Sequence, residues 1–360
     1  MASKKRRYSG IGGQAVLEGI MMKNKDKYSV AARKPDGEIE VDIDEYTGII
    51  KDSFWKKVPF VRGVFNFIDS LILGVKTLNY SASFYEDEEA KETKFDKAMG
   101  KIFKGNAEKV LTGFVTFISV VFALAVFIGL PLLLTELFTK DIRNQSLIAM
   151  IEGLIRIVIF LLYVVLISLN KDIKRVYKYH GAEHKCINCI ERGKPLTVDY
   201  VKHSSRLHRR CGTSFILFVV LISVVLFFFI RVDNRFLRLG LRLLLIPVIA
   251  GISYEILRLA GKFDNFFVRL ISAPGLWVQK LTTREPDEGM IEVAIAAVEA
   301  VFDWKDFRKE YFGADYDEEE RLKKKAEEED ELFDDELEFK AEDDIVIKEI
   351  SSGEKPADEV

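Results

Sequence analysis

The run VLTGFVTFISVVFALAVFIGLPLLL, Val110 to Leu134, contains no charged residue over its 25 positions. At about 1.5 Å of rise per residue a helix of that length exceeds the ~30 Å of hydrocarbon in a bilayer, so the stretch predicts a membrane span. Downstream, Leu147 to Leu169 carries only Glu152 and Arg156, four residues apart and able to pair on one helix face. Thr213 to Ile230 is uncharged but short. Leu239 to Leu259 has spanning length yet includes Arg242, Pro247, Glu255 and Arg258, which require a packed or wet surrounding. These four segments predict an all-α integral membrane protein with about four transmembrane helices.

Charge patterning orients them. The segment Lys171 to Gly212 holds 11 Lys and Arg, against only Lys140 and Arg143 between Thr135 and Ser146. Positive residues concentrate on the cytoplasmic side, so the longer segment is expected in the cytoplasm, with both termini there as well. Against this, the link after the third span carries Arg231, Arg235, Arg238 and Arg242. No secretory leader is expected, because Lys4 to Arg7 is followed by glycines and Glu18 rather than an apolar run.

The formal charge of -3 is a cancellation. Residues 315–360 hold 21 acidic and 7 basic side chains, a net of -14, which leaves +11 for the first 314 residues. This composition argues against a nucleic-acid partner and for a basic, bilayer-bound body with an acidic tail expected to be disordered. The expected organisation is a cytoplasmic N-terminal segment (1–57), an interfacial amphipathic helix and linker (58–105), two spans (106–170), a cytoplasmic His/Cys loop (171–212), two spans (213–260), an interfacial segment with a surface helix (261–314), and the tail (315–360). Within the first segment, Tyr28 to Ile43 alternates around Pro35-Asp36-Gly37 and predicts a β-hairpin. Val58 to Phe84 predicts an amphipathic helix at the membrane surface. Phe266 to Leu281 predicts an interfacial or re-entrant piece broken at Pro274-Gly275, and Asp287 to Phe302 a surface helix.

All four histidines (His180, His184, His203, His208) and all three cysteines (Cys186, Cys189, Cys211) fall in one 32-residue window. In a reducing compartment such thiols are metal ligands or reactive groups rather than disulfides. Two metal arrangements compete. His180-Gly181-Ala182-Glu183-His184 has the H-x-x-E-H order, in which two histidines one turn apart hold zinc and the glutamate takes a proton from its water. The third ligand would come from His208, Cys211, Glu18 or Glu255. Alternatively Cys186-x2-Cys189 and His208-x2-Cys211 form two knuckles of a structural zinc ribbon. His203 reads as an interfacial polar residue, and Glu152 with Arg156 as a structural pair. Glu255 is either an intramembrane functional acid or the partner of Arg258 or Arg242.

Five ordered motifs carry a resemblance: residues 12–19 (GGQAVLEG), 179–185 (YHGAEHK), 208–213 (HRRCGT), 246–255 (IPVIAGISYE) and 281–286 (LTTREP). Together they resemble the YqhQ-like family of bacterial multi-span membrane proteins of unknown function, regarded as predicted metal-dependent enzymes. The resemblance covers about Gly10 to Phe302 and omits the tail. It implies a plasma-membrane location and favours His180, Glu183 and His184 with His208 or Cys211 over the ribbon, since the position of Cys186 is commonly Thr in relatives. It also brings in Glu18 and Glu255.

Two functions follow as expectations. One is a metal-dependent hydrolase at the cytoplasmic membrane surface, with zinc or another divalent transition metal held by His180, His184 and His208 or Cys211, and Glu183 as the base. The other is a non-enzymatic accessory or scaffold that binds another membrane protein, its metal only structural. A transporter using Glu152, Arg156 and Glu255 ranks below both, because the halves show no inverted repeat.

Overall fold

The N-terminal strands are held by the turns between them. In the computed structural model, which describes residues 6–50, 54–85, 107–230, 232, 234–263 and 265–313, four strands form one antiparallel meander. These are β1 (Gly12–Val16), β2 (Gly19–Asn24), β3 (Lys27–Arg33) and β4 (Ile39–Glu45), ordered β1-β2-β3-β4. Glu18 and Lys25 take positive φ in the two-residue turns of the first two hairpins. In the third, Gly37 has φ 93° and Asp36 Oδ1 accepts the Glu38 N–H at 2.9 Å. The hairpin read from Pro35-Asp36-Gly37 is thus the β3–β4 pair, with Val30 opposite Asp42. It is only half of the sheet. β1 and β2 escaped prediction because β2 is buried on both faces from Gly19 to Met22 and its residues do not alternate.

One sheet face, with Val16, Met21, Tyr28 and Val30, packs on Leu73 of α1 (Val61–Ser83). The other meets α10 (Glu288–Glu299), where Ser29 Oγ donates to Ala297 O at 2.6 Å. Between these lie α2 (Ala107–Leu124), a π-helical turn (Ala125–Gly129), α3 (Leu130–Phe138), α4 (Gln145–Leu169), α5 (Lys171–Glu191), α6 (Val198–Lys202), α7 (Gly212–Phe228), α8 (Arg235–Lys262) and α9 (Phe266–Thr282). The π turn directly precedes Pro131, whose ring cannot donate to the preceding turn of the helix.

Among the described residues, three helical segments are long and apolar enough to cross a membrane: Gly113–Phe138, Gln145–Leu169 and Phe236–Lys262. The third predicted span, Thr213 to Ile230, falls on α7, whose 17 residues are shorter. At ~1.5 Å per residue it reaches about 26 Å, a few ångströms less than the hydrocarbon core. The charged stretch 239–259, by contrast, does qualify by length and composition, and its charges are paired. Arg242 Nη2 donates to Glu152 Oε2 at 2.7 Å, Arg156 Nη2 to Glu152 Oε1 at 2.9 Å, and both guanidinium groups lie over the Phe227 ring. Glu255 pairs with neither Arg242 nor, primarily, Arg258: Arg62 of α1 grips it with two bonds, at 2.6 and 2.5 Å.

Two further expectations are corrected. The segment 171–212 is not a loop, because Asn170 caps the N-terminus of α5 by accepting from Asp172 N and Ile173 N, and 21 helical residues follow. Phe266 to Leu281 is not broken either; α9 runs through Pro274 to Thr282. The chain divides into two compact units, Met1–Phe302 and Asp303–Val360. In the second, α11 (Trp304–Phe312) is described, and the expected disordered tail (315–360) lies outside the described residues, as does the linker 86–106.

Candidate metal centre

α5 is polar at its start and buried from Tyr179 to Glu191 apart from His180, which is half-buried. Its buried half carries His180, Glu183 and His184, so the i, i+3, i+4 spacing sets all three on neighbouring positions of one face. The two rings stack at 4.4 Å between centroids. Cys211 arrives from the N-cap of α7, its sulfur accepting the Thr213 N–H at 3.4 Å. His180 Nε2 lies 3.2 Å from Cys211 Sγ, and one ligand atom each from His180, His184 and Cys211 fall within 4.8 Å of one another.

Backbone carbonyls fix the tautomers. His180 Nδ1 lies 2.9 Å from Thr282 O and His184 Nδ1 2.7 Å from Arg206 O. A carbonyl can only accept, so both Nδ1 atoms carry protons and each ring turns Nε2 toward the cluster, as metal-ligating histidines do. Tetrahedral zinc with bonds of about 2.0–2.3 Å separates its ligands by about 3.3–3.7 Å, which small side-chain rotations would reach here. Without metal, burial by itself would raise the Cys211 thiol, but His180 and His184 hold it well below the ordinary range. Burial by itself would lower His180, but the Cys211 sulfur raises it. Each of the two thus favours the charged form of the other.

Glu183 is 5% exposed, and burial raises its carboxyl, partly offset by His184 and His180 and by the Gly13 N–H that it accepts. The group borders a cavity of about 770 Å³. Strand β1, α1, α5, the start of α7 and the end of α8 wall this cavity.

The profile of DUF1385, described as a protein of unknown function, matches residues 58–304. The chain belongs to the DUF1385 family. It is also 39% identical over 287 residues to uncharacterized protein YqhQ of Bacillus subtilis (strain 168), covering 79% of this chain and 89% of that one. No solved structure matches it. In this DUF1385 chain the residues of the cluster lie inside the matched span, whereas Gly13 and Glu18 precede it.

The other candidates stand apart from the cluster. His208 stacks on His184 at 5.6 Å, but its Nε2 faces Glu191 Oε2 at 3.5 Å, too far for a hydrogen bond, and has no partner among the described residues. Burial lowers His208 to about 3, with Glu191 only partly opposing it, so the ring is neutral. Glu191 itself is held by Arg6, Ser9 and Arg210. Glu18 accepts from Arg175 Nη2 at 2.6 Å and from Tyr179 Oη at 3.2 Å, joining the β1–β2 turn to α5. Glu255 is engaged by Arg62. The ribbon does not form, since Cys189 donates to Pro195 O at 3.1 Å and Cys186 is wholly buried away from the cluster. His203 is exposed. Sequence reasoning missed the Thr282 and Arg206 carbonyls and the Gly13 N–H. LTTREP (281–286) was legible as a motif, but a backbone carbonyl leaves no mark on residue type.

Proposed function

We propose that this chain is a membrane-embedded, metal-dependent hydrolase whose centre, held by His180, His184 and Cys211 with Glu183 as general base, sits at the cytoplasmic surface of the bacterial plasma membrane. The observation that carries this reading is the pair of Nδ1 atoms tied to Thr282 O and Arg206 O, which turns both Nε2 atoms toward the Cys211 sulfur. Two imidazoles and a thiolate suit zinc. Bound there, the metal would supply Lewis acidity and lower the pKa of its water. His180, His184 and Cys211 all line the cavity, and three protein ligands rather than four would suit a catalytic rather than a structural site. Glu183 supports the reading by position: it is adjacent to a ligand, buried, and held by the Gly13 N–H, so its carboxylate can take a proton without swinging away. His208 would act beside the cluster, stacked on His184.

The test is zinc content and peptide hydrolysis of detergent-purified full-length protein, assayed with a fluorogenic library of apolar peptides. We expect about one zinc per chain, lost in His180→Ala and in Cys211→Ala. Glu183→Gln should keep the zinc and the fold and abolish hydrolysis. Less than about 0.1 zinc per chain, unchanged by His180→Ala, would end the metal reading. Zinc bound without hydrolysis by wild type, and a silent Glu183→Gln, would favour the accessory or scaffold role, with another membrane protein as partner.

A further inference from the structure

The cavity beside the cluster is bordered by consecutive residues from Gly10 to Ala15. Consecutive residues of a strand point to opposite faces, so a wall made of all of them presents the strand's edge. β1 is the terminal strand of the sheet, paired only with β2. Val16 faces Gly19 across the two-residue Leu17-Glu18 turn, so Val16, Gln14 and Gly12 exchange hydrogen bonds with β2 while Gly13 and Ala15 turn theirs outward. The Gly13 N–H bears this out by reaching Glu183 instead. Among the described residues nothing donates to or accepts from the outward backbone groups of Ala15. The same cavity is lined by Phe67 of α1, Phe215 and Ile216 of α7 and Leu257 of α8, with Lys23, Asn66 and Arg210 also on its wall. The last two helices are the apolar ones that run away from the site.

We infer that the cavity binds an extended, apolar peptide segment as an added strand on the free edge of β1, and that this alignment brings a peptide carbonyl up to the His180/His184/Cys211 cluster. The inference rests on the metal-site reading above and adds the substrate class: a strand of a membrane protein at the bilayer surface. Edge addition gives affinity through the main chain, while the apolar wall takes alternate side chains. A lipid would use that wall but has no use for a backbone edge set beside Glu183. Gly12 fits the same role, since a β-carbon there would stand in open space, whereas Gly13 is required by the close approach of Met21 O, Met22 Sδ and Glu183.

The experiment uses zinc-loaded, detergent-solubilised full chain and calorimetric titration with three probes. These are acetohydroxamate, N-acetyl-trileucyl hydroxamate, and the latter N-methylated singly at each peptide nitrogen. We expect the trileucyl compound to bind at least about 100-fold tighter than acetohydroxamate. Methylation at one or more positions should weaken it about tenfold, the size of a lost hydrogen bond. Ala15→Pro, which removes one outward N–H at an edge position that tolerates proline, should weaken the peptide similarly and leave acetohydroxamate unchanged. If every methylated compound binds like its parent, the wall is taking leucine side chains without the β1 edge, and the inference is overturned while the metal reading stands. That result needs no variant, so misfolding of Ala15→Pro cannot obscure it. Failure of acetohydroxamate to bind at all would overturn the metal reading and this inference with it.

Discussion

Cys211 borders the cavity, whereas Cys186 and Cys189 do not. Its sulfur is held as a thiolate by His180 and His184 against the opposing effect of burial, while burial drives Cys186 well above the ordinary thiol value. Thiolates are the reactive form. Iodoacetamide should therefore modify Cys211 first in chelator-treated protein, read by peptide mass spectrometry, and an equivalent of zinc should block it. His208 governs acid stability. Its folded-state value is depressed, so its contribution is fully present above the ordinary value of 6.5 and is lost as pH falls toward about 3, because only the unfolded chain takes the proton. Between pH 6.5 and 5 this amounts to about 2 kcal/mol at ~1.4 kcal/mol per unit. Thermal unfolding of wild type and His208→Asn should show the gap between them shrinking across that interval.

At the scale of elements, the cluster depends on how close α5 comes to the segment after α9. Arg284 N donates to Tyr177 O at 2.9 Å, and a β-carbon on Gly181 would run into the Arg284 carbonyl oxygen. That contact positions Thr282, whose carbonyl sets the His180 tautomer. Gly to Ala inside a helix ordinarily gains up to about 1 kcal/mol. Here overpacking at about 1–3 kcal/mol should win. Gly181→Ala is expected to lower the unfolding temperature and to weaken zinc binding at least tenfold, measured by competition with a chromogenic chelator. A gain in stability would show that the segment yields freely.

For the whole molecule, α4 ends where α5 begins and Cys211 caps the start of α7, so the site end of the bundle is shared by the end of α4 and the start of α7. The turn between α7 and α8 therefore lies at the far end. If the bundle crosses the membrane, a cysteine at Asn234 in a chain lacking the native cysteines should react with an impermeant maleimide in intact cells, and one at Lys25 should not. Labelling of both, or of Lys25 alone, would reverse or dismiss the topology. The site residues fall between Gly13 and Thr283, within the first compact unit. Ending the chain at Gly313 should accordingly leave membrane insertion and zinc content unchanged, as judged by carbonate extraction and metal analysis.

The sequence by itself determined the apolar helices, the Pro35-Asp36-Gly37 hairpin, and the placing of His180, Glu183 and His184 on one turn. Each is a matter of composition or short spacing, which local physics controls. It left the third ligand open among His208, Cys211, Glu18 and Glu255, because distance along the chain from His180 does not rank them until the chain folds. Tertiary structure sets Cys211, as the cap of α7, beside His180 and His184, and turns His208 toward Glu191. It alone also supplied the partners of Glu18 and Glu255 and added Arg242 to the Glu152–Arg156 pair that the four-residue spacing announced, since a buried charge takes whichever counter-charge the packing delivers from distant parts of the chain. The free edge of β1 beside the cavity is likewise a product of assembly, because it exists only once β1 pairs with β2, a strand whose burial on both faces leaves no alternating pattern to announce it.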